Sequence, residues 1–492
     1  MKKRSLILVT VDCLRADHVG FLGYSRPVTP FLDSLTSNTF VFSNALVAGA
    51  PTYFSFPAII ASRYPLALGR DVLGIAPGEP TIAAALHQAE YATAAFLAGN
   101  PYLNVRSGYH QSFDTFRDFL DSALPGDSIT SNGAKGRLSK INIQLEGASR
   151  QHRLTSQAYD ELYFWYCQWR TARENLSMDS LRRYPAADVI VDQARSWLSS
   201  LGDEPFFLWI HLMDPHHPYY PPREALAAVG ASEMTSRRAR FLNSVWNRDV
   251  STGRLQRYRE EIVSLYDAGV YWADKQISRL VHTLQQFRRW DDTVFVVTAD
   301  HGEQFLEDGS RYHSPTNLRQ QLIHVPLLLR APEPAKPRRF TQPFSLIHLA
   351  PTLLHAVGAE IPESFQGRSR WDEILAGELP NEPAVSECLD GCNNPYQVAD
   401  RMRHRLVTVR RGDHKLVLNF NKRTDCMYDL KNDPEERSPI PIGSLPQERA
   451  RLLQVARTHL HETRQGQTTE LRLRARVREL QQMASTEERV LD

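Results

Sequence analysis

Short runs of β-branched, aliphatic and aromatic residues recur along this chain: SLILVTV at 5–11, TAAFLA at 93–98, FFLWIHL at 206–212, TVFVVTA at 293–299 and VPLLLR at 325–330. None shows a strict polar/apolar alternation, so each predicts a strand buried on both faces, as strands of a parallel sheet are. The stretches between them carry helix signals. Thr29 precedes Pro30 ahead of FLDSL, placing a capping hydroxyl next to a proline at the first helical position, and Thr81 precedes IAAALHQAE. The segment RYREEIVSLYDAGVYWADKQISRLVHTLQQ, at about 257–286, repeats apolar residues every three or four positions, as a helix covering a sheet does. Strands alternating with helices predict an α/β fold, a mostly parallel sheet sandwiched by helices.

Two regions break this rhythm. Residues 121–156, opening DSALPGDSITSNGAKG, are polar and rich in Gly and Ser, and predict a surface insertion that leads into an aromatic helical stretch near ELYFWYCQW. Insertions at about 121–185 and 223–256 are expected to shape whatever pocket the sheet carries. Beyond about 380, HRLVTVRR, HKLVLNF and DCMYDL follow closely and predict a small antiparallel sheet. The expected organisation is an α/β catalytic domain over 1–380, the small antiparallel subdomain over 381–445 and a helical segment over 446–492. That last segment reads as a solvated face or a contact in a homo-oligomer.

Charge and cysteine usage narrow the partners. With 58 Lys+Arg against 56 Asp+Glu, the net charge of +2 provides no global field for nucleic acid or a membrane surface, and no basic, aromatic-interleaved stripe marks a nucleic-acid site. Five cysteines in 492 residues fit a reducing, cytoplasmic setting; Cys388 and Cys392 form the one close pair and read as plain thiols. The basic start and apolar run of MKKRSLILVTVDCLRADH are interrupted early by Asp12, unlike a signal peptide, and no stretch reaches about 18 apolar residues, so no membrane span is expected.

Ligands of open α/β sheets bind at the carboxyl ends of the strands. Three of the runs end in chemistry-bearing residues: Asp12 after the first, Asp300-His301-Gly302-Glu303 after TVFVVTA, and His211 with Asp214-Pro215-His216-His217-Pro218-Tyr219 at the end of FFLWIHL. A lone Asp at a strand end is often a cap or a buried hydrogen-bonding group. Three such ends, combining carboxylates with imidazoles, predict a divalent metal with oxygen and nitrogen ligands.

In order along the chain stand VDCLRADHVGFLGYSRPVTPFLDSLTSNTFVFSNAL, HLMDPHHPYYPP, YDAGVYWADKQISRL, VFVVTADHGE, RYHSP, HVPLLLRAP, SLIHLAPTLLHAVG with FQGRS, and GDHKLVLNF with MYDLKNDPEE. This ordered set resembles the sulfatase branch of the alkaline phosphatase superfamily over most of the chain. The resemblance implies that fold, with a small C-terminal subdomain packed on the main sheet, and it implies Asp12, Asp300 and His301 as metal ligands. In AGAPTYFSFPAIIASRYP, Thr52 falls where sulfatases carry the Cys or Ser that becomes formylglycine, while Phe54 and Phe56 replace the Pro and Arg of the family's signature and Ser55 lacks its flanks. Superfamily members that cleave or transfer phosphate esters use an unmodified Thr there, so the resemblance implies Thr52 as nucleophile and as a further metal contact.

Further roles follow from the same resemblance. His216 is expected as a substrate donor or general acid, and His313 as a substrate donor or second-metal ligand. Cys13 stands where sulfatases have a second Asp, which favours manganese, zinc or magnesium over calcium, with one cation expected and a second left open. By position, Asn100 and Arg63 are candidate anion contacts, and Lys415 is a candidate reaching in from the small sheet. His217 reads as rim, and Gly302 as a site of close backbone packing. The expected activity is metal-dependent hydrolysis or phosphotransfer on a phosphate ester, a phosphodiester or phosphonate ahead of a monoester. The substrate would be a small molecule, or a glycan or lipid-headgroup phosphate or sulfate ester. Sulfate-ester hydrolysis without formylglycine and a catalytically silent anion- or partner-binding protein are the alternatives.

Overall fold

The computed structural model describes residues 3–120, 177–247, 252–332, 336–465, 470–478 and 480–481. Among the described residues fifteen strands run in chain order: β1 Ser5–Val11, β2 Phe40–Leu46, β3 Ala92–Leu97, β4 Thr115–Arg117, β5 Phe206–Leu212, β6 Thr293–Ala299, β7 Gln304–Phe305, β8 Arg311–Tyr312, β9 His324–Arg330, β10 Arg338–Phe340, β11 Phe344–Ser345, β12 Ala384–Leu389, β13 Arg405–Arg411, β14 His414–Asn419 and β15 Thr424–Asp429. Among the described residues nine form one sheet in the order β10-β2-β9-β6-β1-β5-β3-β4, with β11 also on β2. The centre, β6-β1-β5-β3, is parallel, while β9 runs antiparallel to both β6 and β2. β1, β5 and β6 are buried along their whole length, as their uninterrupted apolar runs predict.

Helices cover both faces. On one side the long helix α5 (Arg259–Gln286) packs with α1 (Pro30–Leu35) and α4 (Ala187–Ser200); on the other, α6 (Leu349–Val357) packs with α2 (Thr52–Ala61) and α3 (Ile82–Gln88). Thr81 caps α3 by accepting from the Ala84 amide. Thr29 does not cap α1. Its hydroxyl accepts from the Gly20 amide and donates to Asp33, and the first amides of α1, from Phe31 and Leu32, donate instead to the Asp274 carboxylate on α5, each at 2.9 Å.

The second sheet is antiparallel, in the order β12-β13-β14-β15. Its edge strand β12, AVSECL, carries no sequence signal as clear as those of the other three. α7 (Pro446–Gln465) seals this sheet by burying Leu452 and Ala456 in a core with Val385, Val407, Val409, Leu416 and Met427. The tail segment is therefore in part a packed element, not only a solvated face. Cys13, Cys388, Cys392 and Cys426 are free thiols. No helix among the described residues is long and apolar enough to cross a membrane. The polar insertion at 121–176, with its aromatic stretch, lies outside the described residues.

Candidate active site

Register explains the convergence of the predicted residues. Val11 of β1 pairs with Ala299 of β6 and with Leu212 of β5, so Asp12 and Asp300 each follow directly on adjacent, aligned strand ends. The Asp12 amide continues the ladder to the Leu212 carbonyl at 2.8 Å. All three site residues Asp12, Asp300 and His301 are fully buried. Gly302 permits the tight exit from β6, because a Cβ there would stand 2.0 Å from the Gln321 carbonyl oxygen.

Thr52 arrives from a different direction, as the first residue of α2. The turn before it is braced by the small sheet: Glu387 donates its amide to the Ala48 carbonyl at 2.9 Å, and Ser386 Oγ donates to the Val47 carbonyl. Gly49 lies where that strand passes, and a Cβ would meet the Glu387 carbonyl oxygen at 2.6 Å and the Phe54 carbonyl oxygen at 2.7 Å. Ser55 Oγ is buried without a hydrogen-bond partner, whereas Thr52 Oγ1 meets His301, so Thr52 is the candidate nucleophile of this helix.

Thr52 Oγ1 lies 3.1 Å from His301 Nε2, and His301 Nε2 lies 3.6 Å from both Asp12 Oδ1 and Asp300 Oδ2. His301 Nδ1 donates to the Gly302 carbonyl at 2.8 Å, so in the neutral ring Nε2 keeps the lone pair and accepts the Thr52 hydroxyl proton. Asp12 Oδ2 is satisfied by Asn100 Nδ2 at 2.9 Å and His211 Nε2 at 3.2 Å, which leaves Oδ1 turned to the site. Asp300 Oδ1 accepts from the His301 amide at 3.0 Å, whereas Asp300 Oδ2 is buried without a hydrogen-bond partner. A buried carboxylate oxygen with no donor is costly unless a cation meets it. Asp12, Thr52, Asp300 and His301 thus offer oxygen and nitrogen atoms at spacings that fit one divalent ion.

The two carboxylates titrate in opposite directions. Burial would raise Asp12, but the imidazoles of His216, His211 and His301 hold it well below the usual carboxylate range. Burial and the Asp12 charge push Asp300 up. Two acids facing one point separate in this way until a cation compensates both.

The other expected residues divide. His216 and His313 reach the site: their rings lie 5.0 Å apart, and His313 lies 4.6 Å from His301. Burial lowers His216 to about 4, whereas for His313 the Glu303 carboxylate, with its Oε1 3.4 Å from Nδ1, outweighs burial and raises it. His216 Nδ1 donates to the His217 carbonyl, so neutral His216 presents a lone pair at Nε2 instead of the proton a general acid needs. Asn100 lines the cavity, but its amide is committed to Asp12 and its Oδ1 accepts from the Tyr102 amide. Arg63 is a structural cation, buried on Glu79 and on the Gly74 carbonyl.

Lys415 does not come to the site. It is fully buried on β14, where Nζ donates to the Leu318 carbonyl and pairs with Glu436 at 2.6 Å; burial lowers its pKa despite that partner. His211 and Glu303 are site residues to which the sequence attached no role. The signal was present in each: His211 is the one polar residue of FFLWIHL, and Glu303 closes ADHGE.

Thr52, Asn100, His216 and His313 line a cavity of about 480 Å³ together with Tyr53, Tyr102, Tyr184 and Tyr312. No Lys or Arg is among the described residues lining it. The sulfatase profile matches residues 4–359. The chain belongs to the sulfatase family. This is a family of ester-bond hydrolases, and a second profile, N-sulphoglucosamine sulphohydrolase, C-terminal, matches residues 312–464. An uncharacterized sulfatase of Escherichia coli (strain K12) is 27% identical over 267 residues, 51% of this chain and 48% of the relative, so the match spans about half of that protein. A structure solved in complex with D-glucosamine-2-N,6-O-disulfate superposes with a TM-score of 0.66 at 18% identity, covering 94% of this chain and 99% of the other. The phosphonate monoester hydrolase of Agrobacterium radiobacter superposes with a TM-score of 0.62 at 17% identity, covering 94% and 96%. At these identities the likeness establishes the fold, the alkaline phosphatase-like sheet with its small antiparallel appendage. Phe56 is fully buried and packs its ring edge-on at 5.2 Å from His211.

Proposed function

We propose that this sulfatase-family chain is a metal-dependent hydrolase or phosphotransferase that cleaves a singly charged phosphate ester, a phosphodiester or phosphonate ester, through a covalent Thr52 intermediate. The observation that carries this reading is the meeting of Thr52 Oγ1, His301 Nε2 and the unpartnered Asp300 Oδ2 at the ends of β1 and β6. Asp12, Asp300, His301 and Thr52 would hold the divalent ion, with manganese, zinc or magnesium suiting a set that lacks the second aspartate. When bound, such an ion supplies positive charge that favours the ionised alcohol and offsets charge on the phosphoryl oxygens.

The protein's own groups do the rest. Before an ion binds, His301 Nε2 accepts the Thr52 hydroxyl proton and so holds Oγ1 at the site, and Asn100 and His211 fix the Asp12 carboxylate. Thr52 gives up its hydroxyl proton to water, Oγ1 attacks phosphorus, the bond to the leaving oxygen breaks and that oxygen takes a proton from water, and the phosphoryl group on Thr52 passes to water or to an acceptor alcohol, which frees the Thr52 oxygen again. His216 and His313 face the cavity where the leaving group's negative charge has to be met. Charge favours a singly charged ester, since a doubly charged monoester would sit close to two carboxylates, with Arg182 and Arg183 placed in the adjoining cleft that shares His216 and Tyr184.

A sulfate ester is also singly charged and is the reading that family membership favours. It leaves sulfate on Thr52 without the second hydroxyl by which formylglycine expels it. Intact mass after brief incubation with aryl phosphodiester, aryl phosphate or aryl sulfate separates these readings. The expected result is a metal-dependent adduct of one substituted phosphoryl group, absent from Thr52→Ala, whose turnover falls by about 10³-fold or more. Turnover of the aryl sulfate alone would install the second reading.

A further inference from the structure

Glu387 is a fully buried carboxylate that the mechanism above does not use, and it touches the chain on both sides of α2. Ahead of the helix its backbone holds the turn that delivers Thr52, the Glu387 amide donating to the Ala48 carbonyl at 2.9 Å. Behind the helix its side chain takes over, with Oε1 accepting from the Leu66 amide at 3.1 Å. The nearer residues Ser62 and Tyr64 are tied to Ile347, Gln366 and Gly367, so it is at Leu66 that Glu387 joins this flank of α2 to the small sheet.

The other carboxylate oxygen belongs to α7. A carboxylate oxygen only accepts, so His459 Nε2 donates to Glu387 Oε2, at 3.1 Å. Arg405 of β13 places Nη1 3.8 Å from the same oxygen, donates from Nη2 to the Leu66 carbonyl at 3.1 Å and from Nη1 to the Thr463 hydroxyl at 3.0 Å. Thr463 lies one turn past His459 on the same face of α7, and the His459 ring stands edge-on at 4.5 Å to Tyr64, in the segment leaving α2. We propose that His459 and Arg405 are positioning residues: by fixing the Glu387 carboxylate they let α7 set the position of Thr52 through both flanks of α2. The proposal rests on the reading of Thr52 as nucleophile.

A buried carboxylate is costly where an apolar side chain could pack, and the cost falls only when its oxygens are met. Here they are met from two directions, by Leu66 on one oxygen and by His459 with Arg405 on the other. Hydrogen bonds weaken steeply with distance and angle, so β12 cannot slide against α7, nor residue 66 against β12, without losing a partner. α2 is buried along its whole length, and a close-packed interior passes a shift at either flank on to the helix and to its first residue, Thr52.

His459→Leu removes the donor to Glu387, and His459→Gln restores one. In metal-replete full-length protein, His459→Leu is expected to lower kcat on the aryl phosphodiester by about 10- to 100-fold with KM held within about twofold, and His459→Gln to recover most of that loss. Leu452→Ala opens the core under α7 without touching Glu387; it is expected to lower the melting temperature while kcat stays within about twofold. Amide hydrogen exchange reads the same contacts without turnover. In His459→Leu the Leu66 amide, and the Phe54 and Ser55 amides that bond to the Pro51 carbonyl, are expected to exchange about tenfold faster or more, while the amides of β1 and β6 match wild type. Should His459→Leu fail to fold by circular dichroism, Glu387→Asp, which withdraws the carboxylate by one methylene and keeps the backbone pairing of β12, carries both readouts.

Exchange that rises only within α7 and the small sheet overturns the proposal. So does a kcat in His459→Leu that equals wild type's or falls no further than in Leu452→Ala. Faster exchange at both flanks of α2, in a protein whose wild type forms no Thr52 adduct and turns over none of the three esters, upholds the hold of α7 on α2 and overturns the reading of Thr52 as nucleophile.

Discussion

Asp274 shows how far a single carboxylate can act from the chemistry. Burial pushes its pKa up to about 7, while the amides of Phe31 and Leu32, which it caps, act in the other direction without cancelling the rise. A native acid raised above its unfolded value of about 3.9 binds more protons folded than unfolded between those two values. Stability contributed by this group is therefore lost as pH rises from about 4 to about 7. Asp274→Asn keeps an acceptor for one of the two α1 amides and removes the titration, so its melting temperature is expected to be lower than wild type's but to vary less across that window. An unchanged pH slope would assign the dependence to other groups. The same carboxylate marks a limit of sequence reading. The Thr29-Pro30 pair looks like a cap and start, yet the cap comes from a residue more than 240 positions away, and local pattern carries no trace of it. Asp12, Asp300 and His301 were legible because each follows an unmistakable strand. Lys415 was misplaced because a lysine in a strand gives no hint of Glu436, which neutralises it inside the small sheet.

At the level of elements, the contact between β12 and the turn ahead of α2 decides where Thr52 stands. Gly49→Ala would place a Cβ 2.6 Å from the Glu387 carbonyl oxygen, so either β12 or the turn must shift. A stability loss of about 1–3 kcal/mol is expected from such overpacking, together with a fall in kcat larger than any change in KM, measured by thermal melts and steady-state kinetics. The central strands could be read because both their faces are buried and their composition says so. β12 could not, because its Ser386 and Glu387 are polar in sequence and become buried only through partners elsewhere, the Val47 carbonyl and His459 of α7. Phe56, which stands in the place of the Arg of the family's signature, packs against Trp209 and His211.

For the molecule as a whole, the proposed cation binding would be linked to folding. Without an ion, Asp300 is raised and Asp12 lowered, and one buried oxygen has no partner. Chelator-stripped protein is expected to melt lower than metal-replete protein. Restoring a tightly bound ion at about 100 times its Kd adds about 2.7 kcal/mol, read as an upward shift in Tm that scales with free metal. Thr52→Ala should show a smaller shift than wild type and Asp300→Asn a much smaller one.

The bracing of the Thr52 turn by β12 also has a meaning in time. Residue 52 leaves the ribosome early, but the strand that holds its turn is made more than 330 residues later, and the helix that seals that strand's sheet later still. A growing chain would therefore carry its candidate nucleophile unaimed through hundreds of residues of synthesis, and bring Thr52 into place only once β12 and α7 have been made.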